Sequence, residues 1–408
     1  MSDLSHYVIP RGYRFGAVKA GLKASGRTDF ALIVADSAAG AAGAFTSNRV
    51  AAAPVLIDKE HLSATGGRVR AVAINAGNAN CAAGEAGMRA ARATSAAVAD
   101  TFGCLAEEVL PSSTGIIGVP LPVEKLMAAL PELAESIGGE PSDFLRAAQA
   151  ILTTDTIEKT AFARLERAGS DGEVREVRIA GFGKGSGMIH PQLVPHATML
   201  VYVLTDAAVE PSELNAYLSA AIETSFNRIS VDGDTSTNDT VLLLASGASG
   251  VAIGANDPAF AAALNEVCKS LARQIVADGE GVTHVVELRI SGAATDADAL
   301  RVAKAIAHSP LVKTAWAGCD PNWGRLAAAI GYSGAQLDPR RLDITFGNLP
   351  ICRDGGRAPE FDEAAAHTYI SQREFSISIE LHLGKGTCVF WTTDLTNEYV
   401  HINADYST

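Results

Sequence analysis

Residues 184–200 read KGSGMIHPQLVPHATML, and the chain runs straight on into VYVLTD at 201–206. The second segment is a short apolar run rich in β-branched residues, which reads as a buried strand. A glycine-rich loop, two prolines and two histidines therefore deliver a threonine, Thr198, to the lip of that strand. Runs of the same kind recur on both sides: FALIVAD at 30–36, VRAVAIN at 69–75 and VREVRIAG at 174–181. Between them lie alanine-rich segments with helical spacing, EAGMRAARATSAAVADTFG at 85–103 and PAFAAALNEVCKSLARQIVADG at 258–279. In the latter, Phe260, Leu264, Val267, Leu271 and Ile275 recur every three or four residues, so one face is core. Strands alternating with helices predict an α/β protein.

From about Val285 the texture changes. VVELRISG, LDITFGN, SISIELHLG and TCVFWTTDL read as successive strands, with one helix, ADALRVAKAIAHSP, between the first two. This predicts a catalytic domain over 1–285 and a smaller C-terminal domain over 286–408. With 408 residues the chain exceeds what one core usually fills. Hydrophobic residues make up 48% and charged residues 19%, enough apolar material to bury large sheets. The net charge of −13 argues against phosphate-backbone or anionic-membrane partners and leaves small-molecule chemistry. The start, MSDLSHYVIPRGYRFG, lacks a basic segment followed by an apolar one, and no run of eighteen apolar residues occurs, so the expected location is the cytoplasm. The six cysteines are scattered without CxxC spacing, which predicts reduced thiols and no metal site.

Glycine-rich stretches raise nucleotide readings that fail on spacing. GFGKGSGM at 181–188 has glycine at alternate positions and satisfies neither GxGxxG nor GxxxxGK[ST]. VDGDTSTNDT at 231–240 begins like a calcium loop, but it lacks the glycine at the sixth position and has Leu243 where the closing glutamate belongs. It reads instead as a turn that satisfies its own backbone. Three further polar islands remain beside KGSG: SSTGIIG at 112–118, expected as a tight turn aiming N–H groups at an anion, TTDT at 153–156 and DGEG at 278–281. Each alone reads as a turn or helix cap.

Thr198 has a poor nucleophile's hydroxyl, and no Ser-His-Asp pattern near it offers a base. One remedy needs no second residue. Cleavage before the threonine frees an α-amine that can act as base beside its own hydroxyl, and such an amine titrates near 8, so part of it is neutral at physiological pH.

Taken in order, SSTGIIG, ILTTDT, KGSGMI with ATML, DGDTSTNDT, DGEG, HSPLVKTA at 308–315, GCDPNWGR at 318–325 and DLTNEYVHINADYST at 394–408 resemble the ornithine acetyltransferase family, the bifunctional glutamate N-acetyltransferases of arginine biosynthesis, along the whole chain. The resemblance implies a precursor that cuts itself between Ala197 and Thr198 into an α chain, 1–197, and a β chain, 198–408. It implies Thr198 as nucleophile, with Thr114 and Gly115 as oxyanion stabilisers. Substrate contacts map onto Thr153, Lys184, Thr198, Glu280, Asn403 and Thr408. The implied reaction is ping-pong acetyl transfer from N2-acetylornithine to glutamate, without metal or dissociable cofactor and with acetyl-CoA as a further donor in bifunctional members. The implied assembly is an α2β2 heterotetramer, and the implied fold is sheets sandwiched by helices as in N-terminal-nucleophile aminopeptidases.

Lys184 and Glu280 suit a ligand carrying a carboxylate and an amine. The spacer HPQLVPH between Ile189 and Ala197 is longer than the family pattern, and it holds His190 and His196. The alternatives are an N-terminal-threonine hydrolase of amides or peptides on the same scaffold and an unprocessed, non-catalytic assembly.

Overall fold

The computed structural model describes residues 4, 7–169, 171–191 and 199–405. Its strands build two sheets. The first contains β1 (Tyr13–Val18), β2 (Phe30–Phe45), β3 (Arg68–Asn78), β4 (Val109–Ile116), β5 (Lys159–Ala168), β6 (Val174–Lys184), β7 (Leu200–Thr205) and β8 (Thr240–Ala245). Its order is β4-β3-β2-β8-β7-β6-β5, with β1 paired to β2. The pairs β3/β4 and β7/β8 are parallel, and the other pairs are antiparallel. The helices around it are α1 (Ala53–Ala64), α2 (Gly84–Phe102), α3 (Val123–Glu135), α4 (Pro141–Ala150), α5 (Pro211–Glu223) and α6 (Pro258–Ala277).

Alternation along β7 shows why this sheet needs a layer on each face. Leu200, Tyr202 and Leu204 join one core cluster with Phe144 of α4, while Val201 and Val203 join another with α5 and α6. Successive strand residues point to opposite faces, so a strand that is apolar at every position must be covered on both. The five-residue stripe on α6 is 0–1% exposed and packs against β5 and β6. Asp257 starts that helix by accepting from the N–H groups of Ala259 and Phe260, with Pro258 at its first position. Truncating a stripe residue such as Leu264 to alanine would cost about 2–5 kcal/mol.

The second sheet contains β9 (Val285–Ala293), β10 (Asp343–Phe346), β11 (Leu349–Arg353), β12 (Gly356–Arg357), β13 (Glu374–Glu380) and β14 (Gly386–Thr393), in the order β12-β11-β10-β13-β9-β14. Where one helix was expected between β9 and β10 there are three α-helices, α7 (Asp296–Ala307), α8 (Pro310–Ala317) and α9 (Trp323–Gly331). The latter two are short and begin at Ser309 and Asn322, whose side chains cap the backbone. Their periodicity is too brief to stand out in sequence. Two further helices are α10 (Glu363–Ile370) and α11 (Asn397–Asp405). The halves meet at Trp391 of β14, which packs with α6, and at Thr393, whose hydroxyl donates to the carbonyl of Val231 at 3.3 Å. Among the described residues no helix is long and apolar enough to cross a membrane.

Candidate active site

A buried lattice of charge sits where α4, α6 and β6 end. Lys159, the first residue of β5, is 0% exposed. Its Nζ lies 2.6 Å from Oδ1 of Asp155 and 2.5 Å from Oδ2 of Asp278. Each carboxylate in turn holds a loop. Asp155 accepts from the N–H of Thr153 at 3.0 Å and of Gly185 at 2.7 Å. Asp278, just past α6, accepts from the N–H of Thr156 at 3.0 Å, and its carbonyl takes the Ser186 hydroxyl at 2.8 Å. The islands TTDT, KGSG and DGEG are thus tied through one ammonium. Burial would raise the Asp155 carboxyl, but Lys184, Lys159 and the Gly185 N–H outweigh it and hold the group well below the carboxylate range.

Lys184 projects from the end of β6, its Nζ 3.9 Å from Oδ2 of Asp155. Burial pulls its ammonium below the lysine range, and the Lys159 charge adds to this; Asp155, Glu280 and Asp239 work the other way. Glu280 follows in DGEG, where its N–H bonds the carbonyl of Ser186 and its Oε2 accepts from Asn403 of α11 at 2.9 Å. Gly187 permits this closeness, because a Cβ there would meet a Glu280 oxygen at 2.3 Å. Tyr399 and Asn403 lie four apart, on one face of α11. The Tyr399 hydroxyl reaches Oδ2 of Asp232 at 3.4 Å.

Opposite stands the end of β4. SSTGIIG was expected to be a tight turn; instead its first part completes β4, parallel to β3, with Thr114 beside Ala76 and Asn78. Gly115 has φ +131°, and a Cβ there would lie 2.3 Å from the carbonyl carbon of Gly77, so backbone meets backbone. Asn238 braces this edge by donating to the carbonyls of Ala79 and Ser113 at 2.5 and 2.8 Å. The loop 231–240 serves as a clamp: Asp232 accepts from the N–H groups of Met188 and Ile189 at 2.6 and 2.8 Å, and Thr235 donates to the carbonyl of His190 at 2.9 Å. Met188 is held at φ +56°, a costly conformation for a side chain of its size. Among the described residues no group of His, Cys, Asp and Glu is arranged to hold a metal ion.

Thr114, Gly115, Thr153, Lys184, Glu280 and Asn403, all singled out in sequence, line one cavity of about 270 Å³, together with Asp232, Asn238 and Tyr399. Met199 and Leu200, which follow Thr198 in the chain, form part of its wall. Ala197, Thr198, His196 and Thr408 lie outside the described residues. Sequence reasoning passed over Asp155, Lys159 and Asp278. Two lay inside motifs already noted, but Lys159 sits in IEKTAF, where a lone lysine gives no signal. Asp232 and Asn238 were read as self-satisfying turn residues; Asp232 does bond Asp234 N–H at 3.1 Å, yet both also bond distant backbone.

Layered α/β architecture surrounds a small polar cleft, with Lys184 and Glu280 among its lining residues, of a size that suits a small molecule. A model described as the ArgJ family matches residues 14–408. The arginine biosynthesis bifunctional protein ArgJ of Geobacter sulfurreducens is 47% identical over 402 residues, covering 98% of this chain and 99% of the relative. The protein of the same description from Thermus thermophilus is 46% identical over 401 residues, again covering 98% and 99%. A crystal structure of the arginine biosynthesis bifunctional protein ArgJ from Bacillus halodurans is 44% identical, covers 50% of this chain and 98% of that one, and superposes with a TM-score of 0.48. The chain belongs to the ArgJ family.

Proposed function

We propose that the protein carries an acetyl group from N2-acetylornithine to glutamate through an ester on Thr198. The precursor cuts itself between Ala197 and Thr198, and the freed α-amine of Thr198 takes the proton from its own hydroxyl as the oxygen attacks the acetyl carbon. Negative charge gathers on the carbonyl oxygen, facing the Thr114 hydroxyl and the Gly115 N–H. The amide C–N bond then breaks, and ornithine leaves with the proton. Glutamate's amine attacks the ester by the reverse path, releasing N-acetylglutamate and restoring the hydroxyl. Lys184 pairs with the ligand carboxylate, Glu280 faces its amine, and Thr153, Asn403 and Thr408 complete the pocket.

This reading extends to acetyl-CoA as a second acetyl donor, to no metal or resident cofactor, to an α2β2 assembly and to the cytoplasm. What supports it is the gathering of six residues from five separate stretches of the chain around one cavity whose wall includes Met199 and Leu200. The test is incubation with N2-acetylornithine, with and without glutamate, for wild type and Thr198→Ala. N-acetylglutamate should form with wild type only, and only when glutamate is present. Acetate without acetylglutamate would mean hydrolysis on this scaffold, and turnover by Thr198→Ala would remove the proposal.

A further inference from the structure

Away from that cavity, three side chains from the second half of the chain stand in a row. Cys319 Sγ lies 3.7 Å from Nε2 of His284, and Nδ1 of the same ring lies 3.0 Å from Oδ2 of Asp394. None of the three lines the cavity described above. Asp394 is buried and accepts from the Thr283 N–H at 3.1 Å and from the Thr283 hydroxyl. The Thr283 hydroxyl also lies 2.9 Å from Nδ1; since an ionised carboxylate only accepts, the tautomer that satisfies Asp394 carries its proton on Nδ1 and turns the Nε2 lone pair to the sulfur. Nucleophile, base and orienting group are thus in contact, in the order that activates a thiol.

Cys319 is also held in place. It stands just past α8 at φ +52°, a position that usually goes to glycine. Its N–H bonds the carbonyl of Trp316 at 2.9 Å, and its own carbonyl faces Nδ1 of His367 at 2.7 Å. The six cysteines differ sharply in surroundings. Cys81, Cys268, Cys352 and Cys388 are buried, whereas Cys104 and Cys319 are partly exposed. At Cys104, burial and then Glu108 push the thiol up, against Arg70, and no histidine among the described residues hydrogen-bonds it. At Cys319 a histidine base is in contact.

We propose that Cys319, with His284 as base and Asp394 as its positioning residue, is a reactive-thiol site that takes small-molecule disulfides. The thiol proton passes to Nε2 of His284, and the thiolate attacks one sulfur of the disulfide. A new S–S bond to Cys319 forms as the old one breaks, and the departing sulfur leaves as a thiolate that can take the proton from His284. The Cys319 sulfur is oxidised and the leaving sulfur reduced, so no further reactant is needed. Such exchange requires a thiolate and a line of approach, and Cys319 is a partly exposed residue beside a base.

The test uses full-length protein and limiting 5,5′-dithiobis(2-nitrobenzoate) near neutral pH, with the modified cysteine mapped by peptide mass spectrometry. Cys319 should react first, about tenfold or more ahead of Cys104. Cys319→Ser should abolish the fast phase, and His284→Gln should slow it about tenfold. Should His284→Gln not fold, Asp394→Asn serves as the second variant, and the wild-type competition between Cys319 and Cys104 needs no variant. Equal rates at the two cysteines, or an unchanged fast phase in folded His284→Gln, would overturn the proposal. None of these readouts depends on acetyl transfer, so their failure is separable from failure of that reading.

Discussion

Lys159 and Asp278, 119 positions apart in sequence, form an ion pair with 2.5 Å between Nζ and Oδ2, and their side chains are 0% and 6% exposed. With Asp155 as the second anion, one lysine fixes the loops that carry Thr153, Lys184 and Glu280. Removing one member of a buried pair leaves uncompensated charge, which costs about 3–5 kcal/mol. Lys159→Met should therefore lower the denaturant midpoint strongly and reduce kcat/KM with it. A variant with wild-type stability and rate would show that the lattice is dispensable.

Two glycines of SSTGIIG separate strand geometry from simple turn strain. Gly118 has φ +82° with open space around its would-be Cβ, so Gly118→Ala should cost about 1 kcal/mol and little activity. Gly115→Ala must push β4 away from Gly77, displacing an N–H proposed to face the oxyanion. Loss of such a donor typically costs about 10²–10³ in kcat. Steady-state rates of the two variants make the comparison, and equal rates would remove Gly115 from the proposed chemistry.

Asn403 meets Glu280 at 2.9 Å from an exposed helix, so its contribution is modest. Losing one hydrogen bond of about 1 kcal/mol predicts that Asn403→Ala raises KM about fivefold and leaves kcat near wild type. A fall in kcat at constant KM would instead mean that the contact forms only in the transition state.

His308 stacks edge-on against His190, with Nε2 3.2 Å from Nδ1. Burial, aided by the charges of Lys304 and Lys313, lowers its pKa from 6.5 to about 4. The folded value lies below the unfolded one, so between these values the unfolded chain binds a proton that the folded chain refuses. Above pH 6.5 the group contributes nothing; stability then falls as pH drops towards about 4, and this loss stops below that. His308→Gln should flatten the dependence of the denaturant midpoint over that window, and an unchanged slope would contradict the assignment.

Much of the fold was legible because the decisive strands carry unbroken apolar runs: VYVL in VYVLTD and FALIVA in FALIVAD read as buried before any neighbour is known. The α6 stripe was legible for the complementary reason, twenty residues of uninterrupted 3.6-residue period ending at Asp278. Elements with weak or short periods were not legible, α8 and α9 among them. SSTGIIG looked like a turn because serine, threonine and glycine favour turns, yet pairing with β3 overrides that preference. The site divides in the same way. Lys184 and Glu280 stand in motifs with local glycine signatures, whereas Lys159 gains its role from joining nearby Asp155 to Asp278, and a partner as distant as Asp278 leaves no trace in nearby residues.

The central claim concerns Thr198, and intact-mass spectrometry of purified wild-type protein after exposure to N2-acetylornithine without glutamate tests it most directly. Two polypeptides are predicted, residues 1–197 and 198–408, the second carrying the mass of one acetyl group that disappears when glutamate is added. Active enzyme consisting of the uncut 408-residue chain, or a processed chain that turns over without ever carrying the acetyl mass, would contradict it.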